Sequence, residues 1–471
     1  MNARLIKFWN DLQSSYYFIP GLMALGAILL AFITIAVDKN FADYFAKKTG
    51  WFYSNTAGGA RAVLTTIAGS MMTVAAVTFS ITMVAVTSAA GQYGPRLIGN
   101  FMRDKANQVT LGTFTATFVY CLTILRVART GDAAGAGSAV AEFVPNISVF
   151  VAMVMTMFSV GVMIFFIHHI PETLNVGNIT AQVGRKLRGD IQNMFPENIG
   201  DSETDKEAPS NAVNLEDYHH KNALKIKAKA EGYIQAVQED AILKWATRHD
   251  AVVRLQYRPG DFSVKGDTLM HVWARGGAHL ETDDKHEEAL LGTYAMGTQR
   301  TAHQNILFLA DELVEILARA LSPGVNDPFT AINCINWFHS AIHAMMRSGE
   351  PEAYRRDENG DLRVIAHAIS FKRFVSVICD QSRPYIASDR NTAIKMLTVL
   401  TELTVEAKTD SKRNILIAQI EKLDRATQDK LSSTLEREEM RERFETSMKM
   451  INDEDFYENE LASERWGGGR S

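Results

Sequence analysis

The sequence predicts an α-helical membrane protein: four transmembrane helices followed by a cytoplasmic, α-rich α+β domain. Three observations carry that fold class. Four apolar runs, almost free of charge, crowd into residues 19–170. Charge divides the chain: up to residue 180 there are 11 Lys and Arg against 7 Asp and Glu, and beyond it 38 against 47, for a formal net charge of −5. Past residue 222, β-branched runs alternate with apolar residues at helical spacing. At 471 residues the chain exceeds one ordinary core. With 46% hydrophobic and 22% charged residues it is neither disordered throughout nor collagen-like.

Residues 1–18 form an N-terminal arm. Residues 19–37 are uncharged, close to the ~20 that a helix needs to cross a ~30 Å hydrocarbon layer. The run is too long for the apolar core of a signal peptide. Three more runs, at residues 62–90, 108–128 and 147–170, complete a four-span domain over 19–175. Basic residues of the connecting segments set the orientation. Arg4, Lys7, Arg96, Arg103, Lys105, Arg185, Lys186 and Arg188 fall on one side, and Lys39, Lys47, Lys48, Arg61 and Arg129 on the other. That bias puts both termini in the cytoplasm. Trp51, Phe52 and Tyr53 predict an aromatic belt at the opposite interface.

The second span has the clearest pattern. Thr66, Ser70, Thr73, Val77, Ser80, Val84 and Thr87 recur at alternating steps of four and three, so they share one helical face. With this helix on the axis of an oligomer, the hydroxyls wet a pore and rings of valine gate it by dewetting. The competing expectation is close helix–helix packing, which uses the same small and hydroxylated residues. Gly94 and Pro95 then end the helix. Arg96, Arg103 and Lys105 follow, either as a basic mouth that concentrates anions or as anchors to anionic headgroups. Arg126, late in the third span, is expected to snorkel to the interface. The fourth span ends in His168, His169 and Glu172. Adjacent histidines point to different faces, and only His168 and Glu172 lie one turn apart. That is too few ligands for a metal, and the histidines are instead candidates for sensing pH.

Residues 176–222 read as a linker, acidic and polar over 198–214. A small α+β module is expected over 223–280, with strands at 232–237, 251–257 and 268–274, a helix at 239–250 and a turn at RPGD. Residues 281–455 read as a helical cytoplasmic domain. Within it, Ser322, Pro323 and Gly324 stop one helix, while Asp327 is a good N-cap for the next, with Pro328 at its first position. Asn326 and Asp327 are candidates for binding a ligand at that helix start, against a plain capped turn. Further helices are expected at 362–379, 392–407 and 415–449. In the last, Leu416, Ile420, Leu423, Leu431 and Leu435 form an apolar stripe suited to self-association. Residues 456–471 are a tail whose GGGRS end has no fold signal.

Cys121, Cys334 and Cys379 are scattered, with no CxxC pair, so neither a disulfide framework nor a redox motif is implied. The chain lacks a GxxxxGK[ST] loop, a GxGxxG, a GxSxG elbow and an HExxH, and has no basic, aromatic-interleaved face for nucleic acid. No catalytic residue, cofactor or metal is therefore expected.

The succession FSITMVAVTSAAGQYGPRL, LGTFTATFVY, FFIHHI, RPGDF and LSPGVNDPFTA resembles a bacterial family of multi-pass membrane proteins catalogued as a domain of unknown function. The matching positions include Phe79, Ser80, Gln92, Pro95, Arg96, His168, His169, Pro259, Gly260, Asp261, Asn326, Asp327 and Pro328. Gly94 stands where that pattern has serine. The resemblance implies a bacterial inner membrane and brings no activity with it. Two functions are expected from the residues: an oligomeric channel for small ions, anions among them, lined by the second span and gated by the cytoplasmic domain; or a membrane-anchored sensor or scaffold around a dry bundle. The partners expected are the lipid bilayer, further copies of the chain and, for the channel, small ions.

Overall fold

In the computed structural model, residues 17–48, 56–94, 104–128, 144–195, 223–275, 284–349, 353–366, 368–463 and 466 are described. The chain divides into two units, Trp9–Asn175 and a second that holds Val176–Ser471.

Among the described residues, four helices of the first unit are long and apolar enough to cross a membrane. They are α1 (Phe18–Lys48), α2 (Ala57–Tyr93), α3 (Lys105–Val127) and α4 (Asn146–Leu174). Helix α3 sits centrally, packed against the other three. Its position explains its composition. Enclosed more than the other spans, it has less lipid-facing surface to keep apolar, and Thr113, Thr117 and Tyr120 are buried in it, the last two bonded to neighbouring helices. Thr117 Oγ1 lies 3.1 Å from Ser159 Oγ of α4, and Tyr120 Oη lies 2.9 Å from Thr34 Oγ1 of α1. The outer helices show the complementary pattern: Leu22, Leu25, Leu29 and Phe32 of α1 are exposed, and Ala27, Ala31 and Ile35 are buried. Arg61, near the start of α2, donates to the carbonyl of Ala128 at the end of α3, 2.9 Å away. A cation there suits the negative end of the helix. Arg126 is exposed in the last turn of α3.

The second unit opens with α5 (Val176–Met194), within the stretch expected to be linker. Its polar composition hides an apolar stripe: Ile179, Val183, Leu187 and Ile191 recur every fourth residue and are buried. The rest of that expected linker, residues 196–222, lies outside the described residues, as do residues 1–16, the aromatic triplet 51–53 and residues 467–471. There follow β1 (Leu224–Lys227), β2 (Gly232–Val237), α6 (Glu239–Arg248), β3 (Ala251–Leu255), β4 (Phe262–Ser263) and β5 (Thr268–Ala274). Then come α7 (Asp284–Leu291), β6 (Tyr294–Gly297), α8 (Ile306–Ala320), α9 (Pro328–Arg347), β7 (Tyr354–Arg356) and β8 (Leu362–Ile365). The chain ends with α10 (Phe371–Ile386), α11 (Arg390–Glu406), α12 (Asp410–Lys430), α13 (Thr434–Asn452) and α14 (Glu454–Ala462).

The strands form two sheets, in orders β1-β5-β3-β8-β7 and β4-β2-β6. Both recruit segments from the region expected to be wholly helical. β8 lies parallel to β3, with Val253 opposite Val364, and β6 pairs with β2. Residues 362–365 were expected to begin a helix. They read Leu-Arg-Val-Ile and are all buried, a short run whose period cannot separate strand from helix. The hairpin signal stood just upstream: Asn359-Gly360 turns the chain, with Gly360 at φ 82°.

The helix expected over 415–449 is two helices. Ser432 and Ser433 break it, because these side chains favour caps over helix interiors. The proposed self-association stripe is also corrected. Leu416, Ile420, Leu423 and Leu431 are buried within the chain, and only Leu435 is exposed. The tail expected from residue 456 starts inside α14.

Candidate functional site

The hydroxyl face of α2 is the first candidate. The helix starts at Thr56, whose Oγ1 accepts from the Gly59 amide at 3.2 Å. It ends at Gly94, whose φ of 125° is open to glycine and hostile to serine, which explains the departure from the resembled pattern. Ala60, Leu64, Ala68, Met71, Ala75, Thr78, Thr82, Val86 and Ala89 are buried and form the packing face. All seven residues singled out from the sequence, Thr66, Ser70, Thr73, Val77, Ser80, Val84 and Thr87, are exposed. Val84 is 69% exposed and Val77 52%. Packing between spans of one chain therefore does not use this face. Thr66, Thr73 and Thr87 donate to the carbonyls of Ala62, Gly69 and Met83, at 2.8–3.0 Å. Their protons are spent within the helix, and their oxygens remain as acceptors on the surface.

Of the expected basic mouth, Arg96 and Arg103 lie outside the described residues. Lys105 is exposed at the first position of α3 and lines a groove between α3 and α4.

The two histidines diverge as their adjacency requires. His168 is exposed, with Nε2 3.4 Å from Glu172 Oε1. His169 turns into the bundle, where Nε2 lies 2.8 Å from Asp104 Oδ2 and 3.1 Å from Thr173 Oγ1. The Phe165 ring stacks on His169 at 5.3 Å. Asp104 is also the N-cap of α3, with Oδ1 accepting from the Ala106 amide at 2.9 Å. One carboxylate thus joins the start of α3 to the end of α4. Asp104 was not singled out from the sequence, although an aspartate just before an apolar run is an N-cap signal. Among the described residues, no three of His, Cys, Asp and Glu are placed to hold a metal.

Asp327 caps α9. Its Oδ1 accepts from the Thr330 amide at 3.1 Å and its Oδ2 from the Thr330 hydroxyl at 2.5 Å. Asn326, at φ 49°, donates its amide to the Ser322 carbonyl at 2.9 Å. Next to them Val325 and Phe329 are exposed, Phe329 at 81%. The RPGDF turn closes in the same way, with Asp261 Oδ2 accepting from the Arg258 amide at 2.8 Å. A Cβ on Gly260 would meet Asn305 Nδ2 at 2.1 Å, so the turn is pressed against the N-cap of α8. Both motifs tie elements together, which gives a physical reason for their residues. Cys334 and Cys379 are buried, and burial pushes the Cys379 thiol up to about 12 and that of Cys334 higher still. Neither is a ready thiolate.

The family model described as "Predicted membrane protein (DUF2254)" matches residues 13–402. Two uncharacterised proteins of Mycobacterium tuberculosis, from strains CDC 1551 and H37Rv, are 28% identical over 379 residues, 80% of this chain and 70% of theirs. An uncharacterised protein of Mycobacterium bovis matches to the same extent. No solved structure matches the chain.

Proposed function

The chain belongs to the DUF2254 family of predicted membrane proteins, and from that premise we propose that it assembles as a homo-oligomeric pore for small ions, lined by α2 and gated by its C-terminal unit. The observation that carries this reading is the exposure of the whole Thr66–Thr87 face on a helix whose opposite face, Ala60 to Ala89, packs into its own bundle. A hydroxylated stripe gains little from lipid tails and is well matched to water or to a second copy of itself. Cyclic symmetry brings identical faces together around an axis. There Val77 and Val84, two turns apart, form apolar rings that shut out water, and the threonine oxygens offer acceptors to hydrated ions.

The bias of loop charge supports an orientation with both termini in the cytoplasm of a bacterial inner membrane. In this reading the charges of Arg96 and Arg103, in the connection that follows α2 in sequence, favour anions. His168, His169, Asn326 and Asp327 remain candidates for receiving a pH or ligand signal. In this reading the chain catalyses no reaction. The sensor or scaffold alternative draws on one observation, the exposed Val325 and Phe329 beside the Asp327 cap.

Ion flux through liposomes that hold the purified protein tests the pore. Val84→Asn hydrates the ring and is expected to raise leak, whereas a change at the neighbouring Ala85, about 100° round the helix, does little. Arg96→Glu reduces anion preference. A monomeric particle in detergent, or a Val84→Asn variant that is less stable and conducts nothing, ends this reading and favours the scaffold. Reporter fusions after residue 140 should face outside and those after residue 185 inside.

A further inference from the structure

We propose that the groove between α3 and α4 is a binding site for one anionic phospholipid, whose phosphate rests on Lys105 and one of whose acyl chains lies along Phe165, Gly161 and Phe158. The groove is about 660 Å³, and its walls are apolar apart from Lys105 and Thr110. Thr110 spends its hydroxyl proton on the Ala106 carbonyl, 2.8 Å away, so it leaves the wall with little polarity. Gly161 makes the hollow: a Cβ there would have nothing within 4 Å. From Phe165 to Met157 the groove follows nine residues of α4, eight rises or about 12 Å of helix. That depth is most of one leaflet's share of a ~30 Å hydrocarbon layer.

The charge at its upper end selects the headgroup. Lys105 is exposed, and its ammonium makes no ion pair among the described residues. The neighbouring carboxylate, Asp104, is already held by the Ala106 amide and by His169. An unpaired cation at the mouth of an apolar channel in a membrane helix pair matches a ligand with an anionic head and a hydrocarbon tail. A phospholipid supplies both. The inference does not depend on the pore.

The test uses the full-length protein in nanodiscs of equal phosphatidylglycerol and phosphatidylcholine, with lipid retained after detergent extraction counted by native mass spectrometry. About one phosphatidylglycerol per chain should be retained in preference to phosphatidylcholine. Lys105→Gln should cut that preference about five-fold, the factor a single basic residue near an anionic surface supports. Gly161→Leu, which fills the hollow, should lower retention of both lipids. If Gly161→Leu fails to fold, Lys105→Gln, at an exposed position, decides alone. Equal retention of the two lipids, or preference unchanged in Lys105→Gln, overturns the proposal. Displacement of the lipid by excess inorganic phosphate would also overturn it, since the site would then be one for a free anion.

Discussion

The carboxylate of Asp38, at the end of the apolar run of α1, closes the N-terminus of α4 through Ser148. Asp38 Oδ2 accepts from the Ser148 amide at 3.0 Å and from its hydroxyl at 2.6 Å, while Oδ1 accepts from the Ile147 amide at 2.9 Å. Asp38 and Ser148 are both buried. Tyr120 joins the cluster by donating to the Ser148 carbonyl at 3.2 Å. A negative group is favoured at the positive end of a helix, and here it satisfies three donors, two of them on the buried Ser148. Asp38 thereby fixes where α4 meets α1.

Removing this carboxylate should therefore cost more than an ordinary surface cap. Asp38→Ala leaves buried donors unpaired, at about 1–3 kcal/mol for such a group. Asp38→Asn keeps an acceptor oxygen and should lose less. Thermal melting in detergent measures both, and an Asp38→Ala protein that melts with the wild type would refute the cap.

Gly184 of α5 lies beneath Trp337 of α9. A Cβ at Gly184 would come within 2.3 Å of the indole, so Gly184→Ala must push the two helices apart. Overpacking of this kind costs about 1–3 kcal/mol. Trp337→Ala in the same chain makes room and should recover part of the loss, which a double-mutant cycle would show as coupling. Purely additive effects would mean that the helices do not pack as described.

The Asp327 cap has a local prediction. Asp327→Ala should lower stability by about 0.5–2 kcal/mol, and Asp327→Asn by less. Unchanged melting, together with lost response to a ligand, would assign the turn to binding instead.

A pH dependence follows from Asp357. The Arg363 guanidinium, its donor 2.7 Å from Asp357 Oδ2, holds this carboxyl below its ordinary value. A group with a lowered folded pKa stabilises the fold above its unfolded pKa, about 3.9 for aspartate. That contribution is lost as pH falls through the folded value. Melting temperature should therefore drop below about pH 4, and more gently in Asp357→Asn, which has nothing to titrate at that position. Parallel curves for the two proteins would remove Asp357 from the acid response.

The four spans and the Asp327 cap were legible in the sequence because both are local. Transfer of an apolar run into lipid sums over its own residues, and Asp327 reaches only to Thr330. The seven-residue face of α2 was legible as a face, since helical periodicity places side chains without reference to any neighbour. Its exposure was not, and packing and solvent remained open until the rest of the bundle took the opposite side. Asp38 was legible only as the end of a run, because its partner Ser148 is distant in the chain. His169 stood in the sequence without an assigned partner and finds Asp104 only in the folded bundle. α5 looked like linker by composition, and its buried stripe acquires meaning only against α8 and α9. The strand at Leu362–Ile365 likewise depends on β3, far upstream, whose open edge it fills. Sequence period states which side of an element is apolar. Which element covers that side is settled by long-range packing, where a few hydrogen bonds and close contacts outweigh weak local preference.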